Sequence, residues 1–379
     1  MTTVLNGKDN ANEELLYMAM ELSDKKWKLG FSDGTKQRLV TIEAGDWLAL
    51  HTQIDRAKEK FTLPPACRII SCYEAGRDGF WIHRRLLEDG IENLVIDSSS
   101  IEVNRRKRRK KTDRVDVKGL LRSLQRYWGG EREVMSVVRV LTVEEEDERR
   151  LHRERERLIK ERGAHSARIK SLLVAHGLRL KIRSDFLEQL AAAQSGAGYA
   201  LGEELKAELR REYERYCLVH EQIKVLEAEQ RARVEEPEDQ TMAQIALLLQ
   251  LKGVGQQSSW LLVMEFFSWR AFRNQRQLAS CAGLTPTPYS SGDSEREQGI
   301  SKAGNRRVRQ LMIELSWLWL RYQPHSALTQ WFNTRFAQGG KRMRRIGIVA
   351  VARRLLIALW RYVEEGLVPE GAVFKQIKA

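Results

Sequence analysis

Apolar positions fall in short or alternating runs over the first hundred residues and return at helical spacing afterwards. LLYMAMEL, WKLGFSDG and KQRLVTIEAG follow one another closely, with Asp33-Gly34 as turn chemistry, and predict three hairpin-connected strands. Asp46 to Phe61 carries helical periodicity, with Asp46 as N-cap and Leu48, Ile54 and Ala57 on the buried face. Beyond Pro64-Pro65 come a strand, CRIISCYEA, a helix, FWIHRRLLEDG, closed by Gly90, and a further strand, ENLVIDSSS. TDRVDVKGLLRSLQRYW reads as another helix.

From Val143 the chain becomes charged helix, EEEDERRLHRERERLIKERGAHSARIKSLLVAHGL. Leu151 and Leu158 are seven apart, and Leu209, Tyr216 and Ile223 repeat at seven, accompanied by Val219 and Leu226. Two long helices folding back as an antiparallel coiled pair fit this spacing, and so do two ordinary amphipathic helices. After Pro237 the pattern is globular again. Leu251-Lys252-Gly253-Val254-Gly255 joins two helical runs as in a helix-hairpin-helix, GLTPTPYSSGDSEREQGISKAGN reads as a polar loop, and IGIVAVARRLLIALWRYV is a closing helix. The predicted architecture is therefore an α/β domain over residues 1–142, coiled-coil or oligomerisation helices over 143–236, and a mainly α domain over 237–379. The order βββαβαβ is that of a ribonuclease-H-like fold, although pattern alone admits other α/β arrangements.

Charge narrows the choice of partner. The 379 residues hold 65 Lys and Arg against 51 Asp and Glu, a net charge of +14. Each cation set on a phosphate releases counterions, so a polyanion is the simplest partner. Arg105, Arg106, Lys107, Arg108, Arg109, Lys110 and Lys111 form an unbroken basic run, and KRMRR a second cluster. Both are candidates for phosphate contact, with a solvated charge run as the alternative. Lys252, Gly253 and Gly255 could bring backbone amides to a phosphate, or could be only a turn. Cys67, Cys72, Cys217 and Cys281 have neither metal nor disulfide spacing, and the seven histidines lack paired spacing, which argues against zinc. With no leader and no apolar run of about 18 residues, a soluble cytoplasmic protein is expected, with no membrane partner.

Metal-assisted phosphoryl transfer needs carboxylates that converge on one or two Mg²⁺ ions. Glu21 stands in the first strand run, Glu74 ends CRIISCYEA, and Asp113 and Asp116 are spaced three apart, hence on one helical face. Each could be an ordinary surface acid, and Asp97, ending LVID, competes with Glu74.

The combination AMELSDKKW, CYEAGRDG, KKTDRVDVKGLL, LKGVG and CAGLTPTPYSSG…GISKAGNRRVRQL resembles the insertion sequence 110 family of transposases, in the same order and over nearly the whole chain. The resemblance implies an N-terminal RuvC-like domain with an Asp-Glu-Asp-Asp tetrad, a coiled coil, and a C-terminal domain with a nucleophilic serine. It implies guidance by a bridge RNA, and thus bridge RNA with donor and target DNA as partners. The tetrad's glutamate falls on Glu74 and its last two aspartates on Asp113 and Asp116. Its first aspartate falls on Glu21, a departure that moves the carboxylate by one methylene; Asp24 could substitute only if the strand ended early. The serine falls on Ser291, with Ser290 as its neighbour and a Ser-Gly turn as the bland alternative. The resemblance further implies metal activation of the serine and active sites assembled from different subunits, hence a homo-oligomer, a dimer or a tetramer formed as a dimer of dimers. It makes the cell a bacterial one and the protein nucleoid-associated. Lys302, Asn305, Arg306, Arg307 and Arg309, after the serine, are expected to hold phosphates or to form a solvated helix face. A RuvC-like nuclease using water, and a catalytically inactive nucleic-acid-binding relative, are the competing functions.

Overall fold

A computed structural model describes residues 14–97, 113–268, 270, 272–291 and 294–376, with the side chains of 113–115 and 288–298 left out. The basic run Arg105 to Lys111 lies outside the described residues. Two compact units divide the chain, Met1–Leu141 and Thr142–Ala379.

The first unit is a five-stranded mixed sheet between helical layers. Its strands are β1 (Leu15–Leu22), β2 (Lys26–Ser32), β3 (Gln37–Glu43), β4 (Arg68–Glu74) and β5 (Glu92–Ile96), in the spatial order β3-β2-β1-β4-β5. The first three pair antiparallel through short turns, whereas β1–β4 and β4–β5 are parallel across helical connections. Alternation sends successive residues to opposite faces. Leu16, Met18 and Met20 meet α1 (Trp47–Phe61) and α2 (Trp81–Glu88), and Leu15 and Ala19 meet α3 (Asp113–Trp128). α3 lays Val117, Leu120, Leu121 and Leu124 on that second face.

Asp46 caps α1 by accepting the amide of Ala49, 2.9 Å away, as its type and position predict. One expectation fails there, because Leu48 is 80 % exposed and the buried face is Leu50, Ile54, Ala57 and Phe61. Leu48 stands six residues before Ile54, about 600° of rotation and so on another face, whereas Leu50 stands one turn before it.

In the second unit, a capping box between Thr142 and Glu145 starts α4 (Val143–Asp147). Then follow α5 (Arg150–Ala175), α6 (Phe186–Ala192) and α7 (Glu203–Glu235). Arg155 pairs with Glu227, Arg162 with His220 and Arg168 with Glu212, so α5 and α7 run antiparallel. Their apolar seam is short. Leu158 packs with Val219 and Ile223, and Ile169 and Leu173 with Leu209, but Leu151 turns to the core of the later helices.

That core belongs to α8 (Gln240–Leu249), α9 (Gln256–Leu262) with a π-helical turn at Val263–Phe267, α10 (Gln275–Cys281), α11 (Arg306–Tyr322), α12 (Ala327–Phe332) with a second π-helical turn at Asn333–Ala337, and α13 (Lys341–Glu365). Trp260, Phe266, Leu315, Trp319, Leu355 and Leu359 fill it. The segment expected as a polar loop is a β-hairpin instead, β6 (Pro286–Ser291) with β7 (Ser294–Ile300). Its strands are poor in apolar residues and so carry no period-two signal. Among the described residues no helix is long and apolar enough to cross a membrane.

Candidate active site

The carboxylates of the first unit are arranged by the sheet register. Met20 pairs with Tyr73, so Glu21 and Glu74 stand side by side one residue further along neighbouring parallel strands. Alternation puts both on the α3 face, with Ala19 and Cys72. α3 runs against β1. Gln125 donates to Ser32 at 2.9 Å, level with Tyr17, whereas Val117 faces Gly30, level with Ala19. From Ala19 to Glu21 is about 7 Å along the strand. Four residues of helix, from Val117 back to Asp113, cover about 6 Å. The first turn of α3, with Asp113 and Asp116, thus begins over the strand ends that carry Glu21 and Glu74.

Gly30 lies under the helix: a Cβ there would meet Leu121 and Val117 at an ordinary 3.6 Å and crowd Leu39 of β3 at 3.2 Å. Lys28 is the cross-strand neighbour of Glu21 and sets a cation beside it. The competing acids stand elsewhere. Leu94 and Ile96 of β5 share the α3 face, so position 97 is out of phase with it. Asp24 lies in the β1–β2 turn, 80 % exposed and paired with Arg77 at 3.2 Å.

An all-carboxylate donor set suits a hard cation such as Mg²⁺. Among the described residues no group of three or more His, Cys, Asp and Glu stands close enough to hold an ion, and the side chain of Asp113 lies outside those residues. Glu21, Glu74 and Asp116 alone therefore do not make a closed cage.

In the second unit Ser291 is the last residue of β6, paired with Ser294, and Ser290 pairs with Glu295. The base of this hairpin is tied down. Lys302 donates its amide to Gly283 at 3.2 Å, Ser301 to Thr285 at 2.9 Å and Asn305 to Cys281 at 2.7 Å. The glycines of CAGL and KAGN permit this crossing. A Cβ on Gly283 would fall 2.1 Å from the Ala303 carbonyl oxygen and one on Gly304 2.2 Å from that of Cys281, and both residues have positive φ.

The polar residues after the hairpin divide by role. Asn305 caps α11 by accepting from Arg307 and Val308, and Arg309 donates to the Ala282 carbonyl at 3.2 Å. Arg307 reaches Glu265 at 3.1 Å and Glu156 at 3.2 Å. Arg306 is exposed, and Lys302 lines a broad groove beside the hairpin base. The LKGVG turn is likewise engaged. The amide of Lys252 donates to Val373 and its carbonyl accepts from Gln323, while a Cβ on Gly253 would stand 3.1 Å from Tyr322. Gly255 is the N-cap position of α9.

Sequence reasoning missed the buried centre of this unit. Glu265, 4 % exposed, accepts from His152 at 2.8 Å, from Arg153 at 2.7 and 3.0 Å, and from Arg307. Burial alone would raise its pKa, but the hydrogen bonds from His152 and Arg153 overcome that and hold it well below the usual carboxylate range. Burial pulls the nearby Arg149 down to about 10. The sign available in sequence was one carboxylate within the apolar run WLLVMEFF.

Residues 245–331, from α8 to α12, match the model of the transposase IS116/IS110/IS902 family. The protein y4rJ of Sinorhizobium fredii, which carries the name of a transposase, is 42 % identical over 375 residues, 95 % of this chain and 94 % of its own. The transposase for insertion sequence element IS1111A of Coxiella burnetii is 30 % identical over 204 residues, 54 % of this chain and 53 % of its own. The transposase for element IS1328 of Yersinia enterocolitica is 24 % identical over 220 residues, 58 % of this chain and 63 % of its own.

Proposed function

We propose that this chain, which belongs to the IS116/IS110/IS902 family of transposases, cuts and rejoins DNA through a serine–DNA ester, with Glu21, Glu74, Asp113 and Asp116 as a Mg²⁺-holding tetrad. The observation that carries the acidic half is the alignment of Glu21 and Glu74 on one sheet face with the first turn of α3 beginning above them. The strand order β3-β2-β1-β4-β5, antiparallel then parallel, supports a RuvC-like, ribonuclease-H-like assignment. For the serine, support comes from Ser291 at the end of a hairpin whose base is locked by Gly283 and Gly304.

In the step proposed, the Ser291 hydroxyl oxygen bonds to phosphorus as the bond from phosphorus to one sugar oxygen breaks. The serine proton is lost and the departing oxygen gains one. Attack by the sugar hydroxyl of another strand reverses the chemistry and frees the serine, so the ester conserves the bond energy and rejoining needs no nucleotide triphosphate. Mg²⁺ bound by the tetrad supplies charge neutralisation at the phosphate and a lower pKa for the attacking hydroxyl. The carboxylates themselves need only present fixed negative charge from rigid strand ends. Bridge-RNA guidance, a homo-oligomer joined through the α5–α7 helices as a coiled coil, and tetrad and serine from different subunits complete the proposal. They rest on the resemblance of the motifs and on the charge of +14.

Denaturing gels of protein with Mg²⁺, RNA from its own genomic flank, and labelled donor and target DNA test the proposal. A covalent adduct lost in both Ser291→Ala and Asp116→Ala is expected. Cleavage to free ends without adduct would replace it with a nuclease that uses water, and binding without cleavage with an inactive relative.

A further inference from the structure

We propose that the groove between α13 and the base of the β6–β7 hairpin seats an unpaired DNA strand. The cavity measures about 1350 Å³, beyond the roughly 300–1,000 Å³ of small-molecule pockets. Among the described residues its cationic wall comprises Lys302, Lys341, Arg342, Arg345, Arg353 and Arg361, against one acidic side chain, Glu370.

The floor is apolar. A helix apolar on every side is ordinarily buried on every side. α13 buries Ile348, Val351, Leu355 and Leu359 in the core, yet turns Ile346, Val349, Ala350 and Ile357 to the groove, with Ile346 49 % exposed. Arg354 lies over the Trp331 ring at 3.9 Å, and the two line the same groove as a flat surface for a base.

Cations above an apolar floor fit a chain with phosphates on one side and bare bases on the other. A duplex hides its bases and would leave the floor empty. Among the described residues Gln275 is the only neutral polar side chain in the wall, so little there is provided to recognise a ribose 2′-hydroxyl, and DNA is favoured over RNA. Position also fits. Pro286 and Gly299 belong to the wall, and Ser291 lies five residues beyond Pro286, about 17 Å along the strand. Lys302 holds a left-handed backbone, φ 57°, at the groove edge, a strain usually kept where a side chain must be aimed.

The proposal requires neither the serine nor the tetrad, so it is read by binding alone. Full-length protein is titrated in EDTA against a labelled thymine-only DNA strand, its RNA counterpart and a DNA duplex, by fluorescence anisotropy at several salt concentrations. Arg345→Gln with Arg353→Gln should weaken single-strand binding about tenfold or more and lower the salt slope by about 0.7 per lost phosphate contact. Ala350→Trp, which fills the floor without removing charge, should weaken it with the slope unchanged. Arg210→Gln with Arg211→Gln, the same charge taken from exposed positions of α7, should do neither. Wild-type single-strand binding by both groove variants, an equal loss in the α7 pair, or a loss of duplex or RNA binding in the groove variants as large as the loss of single-strand binding would each overturn the proposal. Failure here with the Ser291 adduct intact would leave the catalytic proposal standing.

Discussion

Replacing Glu265 by Gln keeps its shape and removes the charge that His152, Arg153 and Arg307 surround. Breaking a fully buried ion pair by removing one partner costs about 3–5 kcal/mol. Arg153 and Arg307 are 45 % and 42 % exposed and can turn to water, so the lower end, about 3 kcal/mol, is expected. For a unit of this size, about 3 kcal/mol lowers the melting temperature by about 6–12 °C. Because its folded pKa is depressed, Glu265 contributes fully above the unfolded value of about 4.3 and loses that contribution as pH falls toward the folded value. The gap between wild type and variant should narrow by about 1.4 kcal/mol per pH unit as the pH falls below about 4.3. Calorimetry across that range measures it. A shift under about 1 kcal/mol at pH 7 would mean that the cluster contributes no more than an exposed pair.

Gly304→Ala should destabilise the second unit by about 3 kcal/mol, through the 2.2 Å approach to Cys281 and the left-handed backbone, and reduce adduct yield more than it reduces DNA binding; normal yield would separate the hairpin base from catalysis. Glu21→Asp should retain adduct formation but change the Mg²⁺ concentration for half-maximal yield, whereas Glu21→Ala should abolish it. A Mg²⁺ dependence identical in wild type and Glu21→Asp would remove Glu21 from the ligands.

The mixed sheet was legible because strands backed on both sides by helices spell short apolar runs, and because Asp33-Gly34, Asp46 and Gly90 mark their own turns and caps. Glu21 and Glu74 stood out as polar residues at the ends of such runs. What eluded the sequence depends on distant contacts. The hairpin around Ser291 has few apolar residues in its sequence, and the crossing at its base depends on Gly283 and Gly304, which lie outside it. Arg307 looked like a phosphate ligand, but its charge meets Glu265 and Glu156, whose proximity only the packing of α5 reveals. The groove face of α13 was hidden in IGIVAVARRLLIALW, where buried and exposed apolar positions share one composition.

The measurement closest to the central claim is peptide mapping of the protein–DNA adduct by mass spectrometry after nuclease trimming. A residual nucleotide on Ser291, absent from Ser291→Ala, is the predicted result. The nucleotide on Ser290 or on any other residue, or no adduct at all under conditions that exchange strands, would contradict it.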